Sequence, residues 1–295
     1  MKIVNTITSD KLHLSGFLSE PKNSKENIIV HIHGMGGDPY TNKWYQSFHD
    51  LFPKNDCAFL VGNHRGTGSI TMFLKDPDEC PNYGNALEIF EDSVEDISAW
   101  VQFAKDLGYK NIFIQAHSLA PSKIVYFMNK KNLDFIKGLI LISPVDMLGL
   151  TLINKELHER MLLESKKFIN EGKGETLLSE KVDGEYYFSA KTYLNFFGEG
   201  SNCNVFCYSD RQHDWSMVNN TKVPVLGVFG TKDAGILPVS NVTNAQNIFK
   251  KQFKSSPLVK TVVIEGAEHS FDNHESEVVD SVLQFIQDSL NSKQF

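Results

Sequence analysis

Three residues that can act together in nucleophilic catalysis stand far apart in the chain, namely Ser118, Asp233 and His269. A serine hydroxyl is a weak nucleophile at neutral pH, so it needs a base within hydrogen-bonding distance, and a histidine can serve as that base. A carboxylate beside the histidine selects its tautomer and stabilises the imidazolium. The chain order serine, acid, histidine is one of the known orders for this chemistry. The three residues therefore predict acyl transfer through a serine if the fold brings them together.

The residues around Ser118 predict that its hydroxyl stands on a sharp turn. An apolar run at 111–115 leads into Ala116-His117-Ser118-Leu119-Ala120, and apolar residues at helical spacing follow. A strand that turns sharply into a helix lifts the serine out of the sheet and leaves room only for small residues two positions away. The N-terminus of that helix would point its free N–H groups at the reacting centre.

In these residues the chain resembles the α/β-hydrolase fold superfamily, and the resemblance extends over essentially the whole sequence. Besides the turn at Ser118, it rests on His33-Gly34-Met35-Gly36-Gly37, on Gly230-Thr231-Lys232-Asp233 and on the segment around His269, each of which follows a predicted strand. One departure is that Ala116 and Ala120 stand where the family usually has glycine.

The resemblance implies roles for individual residues. Ser118 would be the nucleophile, His269 the general base and acid, and Asp233 the residue that orients it. The backbone N–H groups of Met35 and Leu119 would form the oxyanion hole.

The function implied is that of a serine esterase-like hydrolase, which cleaves a small-molecule ester, thioester or activated amide through an acyl-enzyme on Ser118. Within the superfamily, the sequence is most similar to the feruloyl-esterase and siderophore-esterase branches. Two alternatives stay open at this point. An alcohol or an amine could resolve the acyl-enzyme, which would make the protein an acyltransferase or a cyclase, and a non-catalytic relative could use the fold to bind a ligand. Neither a metal nor an organic cofactor is implied.

These residues require a sheet that brings their loops to one edge. Short apolar runs bounded by Gly, Pro, Asn or Asp predict strands at 27–33, 57–61, 111–115, 138–142, 223–229 and 258–264. Helical periodicity lies between them, at 91–107, at 240–253 and near the end of the chain. Residues 3–8 and 12–18 predict an antiparallel hairpin at the sheet edge. The pattern is typical of the α/β class, with eight mostly parallel strands and helices on both faces.

Residues 146–220 interrupt this alternation, because they contain no convincing buried strand. They contain a charged helical segment at 155–170 and nine aromatic residues between 186 and 215. An insertion after the sixth strand would lie as a helical cap over the C-terminal ends of the strands, where α/β proteins bind ligands. We therefore expect a core of residues 1–145 and 221–295 and a cap, or lid, of residues 146–220.

Within the predicted cap, Tyr187, Phe197 and Trp215 are candidate substrate contacts. His117 beside the nucleophile is a further candidate, although the resemblance implies that it orients the turn at Ser118 without taking part in proton transfer. An alternative is that the aromatic residues form the small core of the cap itself. His213 could also touch substrate, although a solvated position is the simpler interpretation.

Two further polar residues admit two interpretations. Asp146, which follows the sixth strand, could replace Asp233 as the acid of the triad. Arg65, in the loop after the fourth strand, could contact substrate or could brace its loop through an ion pair.

A metal site is a weaker hypothesis. His31 and His33 alternate onto one face of a strand, but a structural role in the His-Gly turn is simpler. Cys203 and Cys207 have the spacing of half a zinc site, but no second pair at ligand spacing accompanies them. We expect free thiols in a reducing compartment.

Composition excludes several classes of protein. The 295 residues include 29 Lys+Arg and 36 Asp+Glu, which gives a net charge of −7. No basic run is present, whereas nucleic-acid binding depends on neutralising phosphates. The longest nearly apolar run, 223–230, is far shorter than the roughly 20 residues of a membrane span, and the first residues lack the apolar stretch of a signal peptide.

We therefore expect a cytoplasmic protein of one or two domains. The partners that the sequence suggests are a small-molecule acyl substrate and a second copy of the chain in a homodimer, with no nucleic acid and no membrane. Because no cluster of cations lies in the motif loops, neutral or apolar acyl groups are favoured.

Overall fold

A computed structural model describes residues 1–131, 133–209 and 211–291 of the chain. Residues 132 and 292–295 of the predicted core and residue 210 of the predicted cap lie outside the described residues. The strands are β1 (Lys2–Ile7), β2 (His13–Ser19), β3 (Asn27–Ile32), β4 (Cys57–Gly62), β5 (Thr71–Met72), β6 (Asn82–Tyr83), β7 (Asn111–His117), β8 (Ile136–Ile142), β9 (Val225–Gly230) and β10 (Val259–Ile264).

Eight of these strands form one sheet in the order β1-β2-β4-β3-β7-β8-β9-β10, while β5 and β6 pair as a separate ribbon. β2 is antiparallel to both β1 and β4, and the six strands from β4 to β10 are parallel. Every residue of β4 and of β9 is buried, as expected for strands covered on both faces. The predicted eight-stranded, mostly parallel sheet with its edge hairpin is confirmed.

Helices cover both faces of the sheet. α1 (Lys43–Lys54) and α9 (Glu275–Asn291) pack on one face, and α2 (Ser93–Asp106), α3 (Ala120–Lys130) and α8 (Val242–Gln252) pack on the other. Alternate residues of each central strand belong to the two resulting cores, because successive side chains of a strand point to opposite faces. Ile28 and Ile29 of β3 illustrate this division.

The segment between β8 and β9 contains four helices, and its described residues contain no strand. These helices are α4 (Met147–Thr151), α5 (Lys155–Asn170), α6 (Ala190–Phe197) and α7 (Ser216–Asn219), and a 3-10 turn, Leu152–Asn154, precedes α5. Their own apolar core includes Phe188, Tyr193, Phe196 and Phe197, whose rings contact one another.

This insertion rests on the segment 85–91 of the core. The Ser189 N–H donates to the Ala86 carbonyl at 2.7 Å, and the Phe90 N–H donates to Asn195 Oδ1 at 2.8 Å. Glu91 accepts a hydrogen bond from Asn195 Nδ2 at 2.7 Å. The insertion is therefore joined to the loops beyond β4 as well as to the strands that flank it.

Two features of the fold differ from the sequence-based expectation or extend it. The predicted helix 91–107 begins as a 3-10 turn, Phe90–Asp92, and becomes α-helical at Ser93. α1 and the β5–β6 ribbon were not predicted, since the ribbon strands have two residues each and show no periodicity. Within the described part of the chain, no helix is both long and apolar enough to cross a bilayer.

Candidate active site

Ser118 stands on the sharp turn between β7 and α3. Its φ is +64°, in the left-handed region that non-glycine residues seldom adopt and that marks strained functional turns. Its N–H donates to the Ile142 carbonyl at 3.0 Å, which ties the turn to β8. Ala116 and Ala120 are fully buried on either side of the turn, so only small side chains fit there. Ser118 as a whole is partly exposed.

His269 joins Ser118 to Asp233 through two hydrogen bonds. Its Nδ1 lies 2.6 Å from Asp233 Oδ1, and its Nε2 lies 2.9 Å from Ser118 Oγ. Because a carboxylate only accepts hydrogen bonds, Nδ1 carries the proton, and in the neutral ring Nε2 presents its lone pair to the serine hydroxyl. The structure thus brings together the three residues that were predicted from far-apart segments of the sequence.

Asp233 is fully buried and is held by several donors. Ser143 donates its hydroxyl to Oδ2, and the Gly235 N–H donates to Oδ1 at 2.8 Å. Burial alone would raise the pKa of this carboxyl, but the hydrogen bonds from His269, Ser143 and Gly235 outweigh it and lower the pKa below its ordinary value. Asp233 is therefore ionised beside the imidazole.

The loop 33–37 after β3 lies directly against Ser118. A Cβ placed on Gly34 would be 2.8 Å from Ser118 Cβ, so only glycine allows this approach. The backbone N–H groups of Met35 and Leu119, the predicted oxyanion donors, make no hydrogen bond to other groups of the described chain. Both therefore remain available beside the serine hydroxyl.

Two stacked histidines support this loop from behind. The rings of His33 and His64 lie 3.8 Å apart at an angle of 18°. His33 donates from Nδ1 to the Gly34 carbonyl at 2.9 Å and accepts at Nε2 from Thr67 Oγ1 at 2.8 Å. His64 donates from Nε2 to the His33 carbonyl at 3.2 Å. Burial lowers the pKa of His33 to about 4, so the pair is neutral and rigidly bonded at pH 7.

His117 contacts the base of the triad. Its Nε2 lies 2.7 Å from the His269 carbonyl oxygen, and its ring centroid lies 4.8 Å from that of the His269 ring. The Trp44 ring makes a T-shaped contact with the His117 ring, with 5.0 Å between their centroids. Only 8% of the residue is exposed. Its Nε2 is thus engaged within the protein, and the contact with substrate stays a prediction.

Asp146, the alternative acid, has other partners. It caps α4 by accepting from the Gly149 N–H at 2.7 Å, and it also accepts from the Tyr208 N–H at 2.9 Å. Arg211 forms an ion pair with it at 2.5 Å. Because His269 is bonded to Asp233, Asp146 instead joins the start of the insertion to its final segment.

Arg65 is buried in ion pairs. Its guanidinium donates to Asp96 at 2.9–3.0 Å and to Asp10 at 3.1 Å, and only 3% of its side chain is exposed. The bracing interpretation of this residue therefore fits its position.

The histidines considered as metal ligands are hydrogen-bonded to other groups of the protein, and the cysteines are free thiols. His31 accepts from Gln115 Nε2 at 2.9 Å and contacts the Tyr45 hydroxyl at 3.3 Å. Cys203 and Cys207 are buried free thiols. Within residues 1–131, 133–209 and 211–291, no three His, Cys, Asp or Glu side chains gather in a metal-binding arrangement.

The candidate substrate contacts of the insertion lie in three different surroundings. Phe197 belongs to the aromatic core of the insertion and borders a cavity of about 510 Å³ that none of the triad residues lines. Tyr187 is 39% exposed, with Lys181 Nζ 4.4 Å over its ring. Trp215 packs edge-on against His213 at 4.7 Å.

A neighbouring residue, Tyr186, lies next to the loop 33–37, because a Cβ on Gly36 would lie 3.3 Å from Tyr186 Cε1. The substrate contacts predicted for Tyr187, Phe197 and Trp215 stay predictions. Sequence reasoning missed Tyr186, because adjacent aromatic residues have the same composition signal and differ only in the direction they face. It also missed Ser143, whose φ of +48° aims its hydroxyl at Asp233.

Comparison with known proteins shows the fold. No protein-family model matches the chain, and no curated protein does so either. Among solved structures, Est1E from Butyrivibrio proteoclasticus with bound ferulic acid is 20% identical, covers 97% of this chain and 99% of its own, and has a TM-score of 0.64.

Two further solved structures are similar over nearly the same length. Alpha/beta hydrolase GrgF from Penicillium sp. sh18 is 14% identical, covers 98% of each chain and has a TM-score of 0.68. A soluble variant of monoglyceride lipase from Saccharomyces cerevisiae is 14% identical, covers 96% of this chain and 94% of its own, and has a TM-score of 0.65. With the strand order and the turn at Ser118, these likenesses show that the chain has the α/β-hydrolase fold.

Proposed function

We propose that this protein is a serine hydrolase that cleaves small-molecule esters, or thioesters and activated amides, through an acyl-enzyme on Ser118. The observation that carries the proposal is the pair of hydrogen bonds made by His269, at 2.9 Å to Ser118 Oγ and at 2.6 Å to Asp233 Oδ1. Esterase and lipase structures among the similar folds support the same class of reaction.

Each group has a defined part in the reaction. His269 Nε2 takes the proton of the Ser118 hydroxyl as Oγ bonds to the acyl carbon, and the carbonyl electron pair moves onto oxygen. The Met35 and Leu119 N–H groups stabilise that oxyanion, helped by the N-terminus of α3. The oxyanion then re-forms the carbonyl, the ester C–O bond breaks, and the imidazolium, stabilised by Asp233, protonates the leaving oxygen to give the free alcohol. Water attacks the acyl-enzyme by the same steps and releases the acid.

We further propose that the insertion 146–220 is a cap over this site. Tyr186 lies over Gly36, and Asn85 donates from Nδ2 to the Tyr187 carbonyl at 3.1 Å, so the insertion reaches the loops at the C-terminal ends of β3 and β4. Such a cap would bound the acyl pocket on one side, where α/β proteins bind their ligands.

The charges near the site favour neutral or apolar acyl groups. Lys123 lies in the first turns of α3, but its ammonium is buried and paired with Glu88 at 2.7 Å. Arg65 is paired with Asp96. Neither cation is free to bind an anionic acyl group, because each is already committed to a buried carboxylate.

Labelling with a fluorophosphonate probe tests the proposal. We expect the wild type to be labelled once, at Ser118, and the Ser118→Ala variant to remain unlabelled. The wild type should also hydrolyse at least one ester in a panel of nitrophenyl esters that varies in acyl length and includes aromatic acids. Labelling at another residue, or no labelling and no hydrolysis by the wild type, would refute the assignment.

A further inference from the structure

His269 lies in an irregular loop that joins β10 to α9. Gly266, Phe271 and Asn273 of this loop have left-handed backbone conformations, with φ of +79°, +56° and +67°. The start of the loop is bonded to the segment after β9, through the Gly266 N–H to Thr231 Oγ1 at 2.8 Å and the Lys232 N–H to the Ala267 carbonyl at 2.9 Å. Within the described chain, the hydrogen bond from His117 is the one that ties the main chain of His269 to another element.

This hydrogen bond links the residue before the nucleophile to the main chain of the catalytic histidine. His117 directly precedes Ser118, and its Nε2 lies 2.7 Å from the carbonyl oxygen of His269. The imidazole of His269 in turn lies 2.9 Å from Ser118 Oγ. Nucleophile and base are therefore connected twice, once through the reacting hydrogen bond and once through the backbone and His117.

His117 has the protonation state that this contact requires. Burial lowers its pKa to about 3, so the ring is neutral at pH 7. A carbonyl oxygen only accepts, so the single proton of the ring lies on Nε2. The carbonyl has no proton to exchange, and His117 thus holds the His269 main chain without relaying protons to it. Trp44, which is 1% exposed, makes a T-shaped contact with the His117 ring.

We propose that His117 is a positioning residue that holds the main chain of His269 so that its imidazole stays aligned with Ser118. The inference rests on the proposed function of the triad. It goes beyond that function by assigning the alignment of the base to a side chain that contacts neither the substrate nor the reacting atoms.

Two variants test the proposal. His117→Phe keeps an aromatic ring but removes the donor, and His117→Gln restores an N–H donor at a similar reach. We expect His117→Phe to lower kcat for a nitrophenyl ester by about 10- to 100-fold, as misplaced reacting groups do, with KM within about twofold of wild type. His117→Gln should recover most of the loss.

Hydrogen exchange measured by mass spectrometry gives a readout that does not depend on activity. In His117→Phe, amide exchange in residues 265–274 should become faster, and His117→Gln should reverse the change. His49→Phe is the matched control, because His49 is buried on the same face of the sheet but bonds to Ser19. It should leave both kcat and exchange in 265–274 unchanged.

Unchanged kcat, or unchanged exchange in residues 265–274, in His117→Phe would overturn the inference. A wild type that hydrolyses no ester would instead count against the proposed function. The exchange experiment then still decides whether His117 holds the loop, so the two failures are distinguishable.

Discussion

Gly34 of the loop after β3 lies directly against Ser118 in the candidate active site. A Cβ on Gly34 would stand 2.8 Å from Ser118 Cβ and 3.4 Å from Ser118 Oγ. The first of these distances is shorter than two non-bonded carbon atoms allow. The nucleophile and the oxyanion loop therefore fit together only because residue 34 has no side chain. Gly34 is not among the glycines with positive φ, and the requirement is one of space.

Gly34→Ala is therefore expected to lower kcat/KM by about 100-fold, since the added methyl group displaces either Ser118 or the Met35 N–H. Steady-state hydrolysis of a nitrophenyl ester measures the effect. Gly108→Ala is the control, because Gly108 has a φ of +84° and open space around it. That variant should lose some stability but keep the kcat/KM of the folded protein. Equal kcat/KM in Gly34→Ala and wild type would contradict the placement of the loop.

Asp233 and Asp146 form a matched pair, since both are fully buried and both follow a strand of the sheet. Asp233→Asn should lower kcat by about 10⁴-fold, because the amide no longer holds the required tautomer of His269. Asp146→Asn should keep kcat within a few-fold, and it should lower the free energy of unfolding by about 2 kcal/mol, since it weakens the Arg211 pair and its backbone bonds. Kinetics and urea unfolding of the two variants decide which aspartate serves the triad, and the reverse pattern would assign the acid to Asp146.

The buried ion pair of Lys123 and Glu88 predicts a stability effect that depends on removing one charge or both. Their side chains are 1% and 0% exposed and meet at 2.7 Å. Lys123→Met leaves a carboxylate buried without its partner, so the free energy of unfolding should fall by about 3–5 kcal/mol. The double variant Lys123→Met, Glu88→Gln should recover part of that loss. Urea unfolding is the measurement, and a single variant as stable as wild type would contradict a pair that is ionised in the fold.

Buried neutral histidines predict that the protein becomes less stable as the pH falls from about 6.5 towards 4. Burial lowers the pKa of His33 and His49 to about 4, below the ordinary value of 6.5. Between these values the unfolded chain binds protons that the folded chain does not, so each such group removes up to about 1.4 kcal/mol of stability per pH unit. Urea unfolding at pH 7, 6 and 5 tests the trend.

His49→Phe removes one of these groups and provides the control for that trend. The variant should lose less stability than wild type between pH 7 and pH 5. An equal loss in both proteins would show that His49 does not contribute to the pH dependence.

Much of the sheet and the triad could be predicted from the sequence, for a physical reason. Strands covered on both faces must be apolar throughout, so β4 and β9 stand out as short uninterrupted runs. The turn at Ser118 requires small residues at fixed positions, which leaves a local pattern. α1 also has a strong apolar face, with Trp44, Tyr45 and Phe52 buried, but Pro53 and polar residues mask that periodicity.

Contacts between distant segments leave no such pattern. Asp146 accepts a hydrogen bond from the Tyr208 N–H, 62 residues further along the chain, and no sequence pattern indicates that the two residues are in contact. The same holds for Tyr186 and Tyr187, of which only one turns towards Gly36. Facing direction within an irregular segment depends on tertiary packing, so an excess of aromatic residues locates a region but not its individual contacts.

The bonds made by Asp146 have a consequence for how this protein can diversify. The Asp146 carboxylate caps α4, accepts a hydrogen bond from the Tyr208 N–H and pairs with the Arg211 guanidinium. The first and last segments of the insertion are therefore bonded to each other. Closing a longer loop between fastened ends costs little additional entropy, because the cost grows only with the logarithm of its length. The residues between these ends can thus be replaced at a small loop-closure cost, provided that the Ser189 N–H and the Asn195 side chain keep their contacts with the segment 85–91. If the insertion is the proposed cap, such an exchange would alter the range of substrates and leave the residues around Ser118 unchanged.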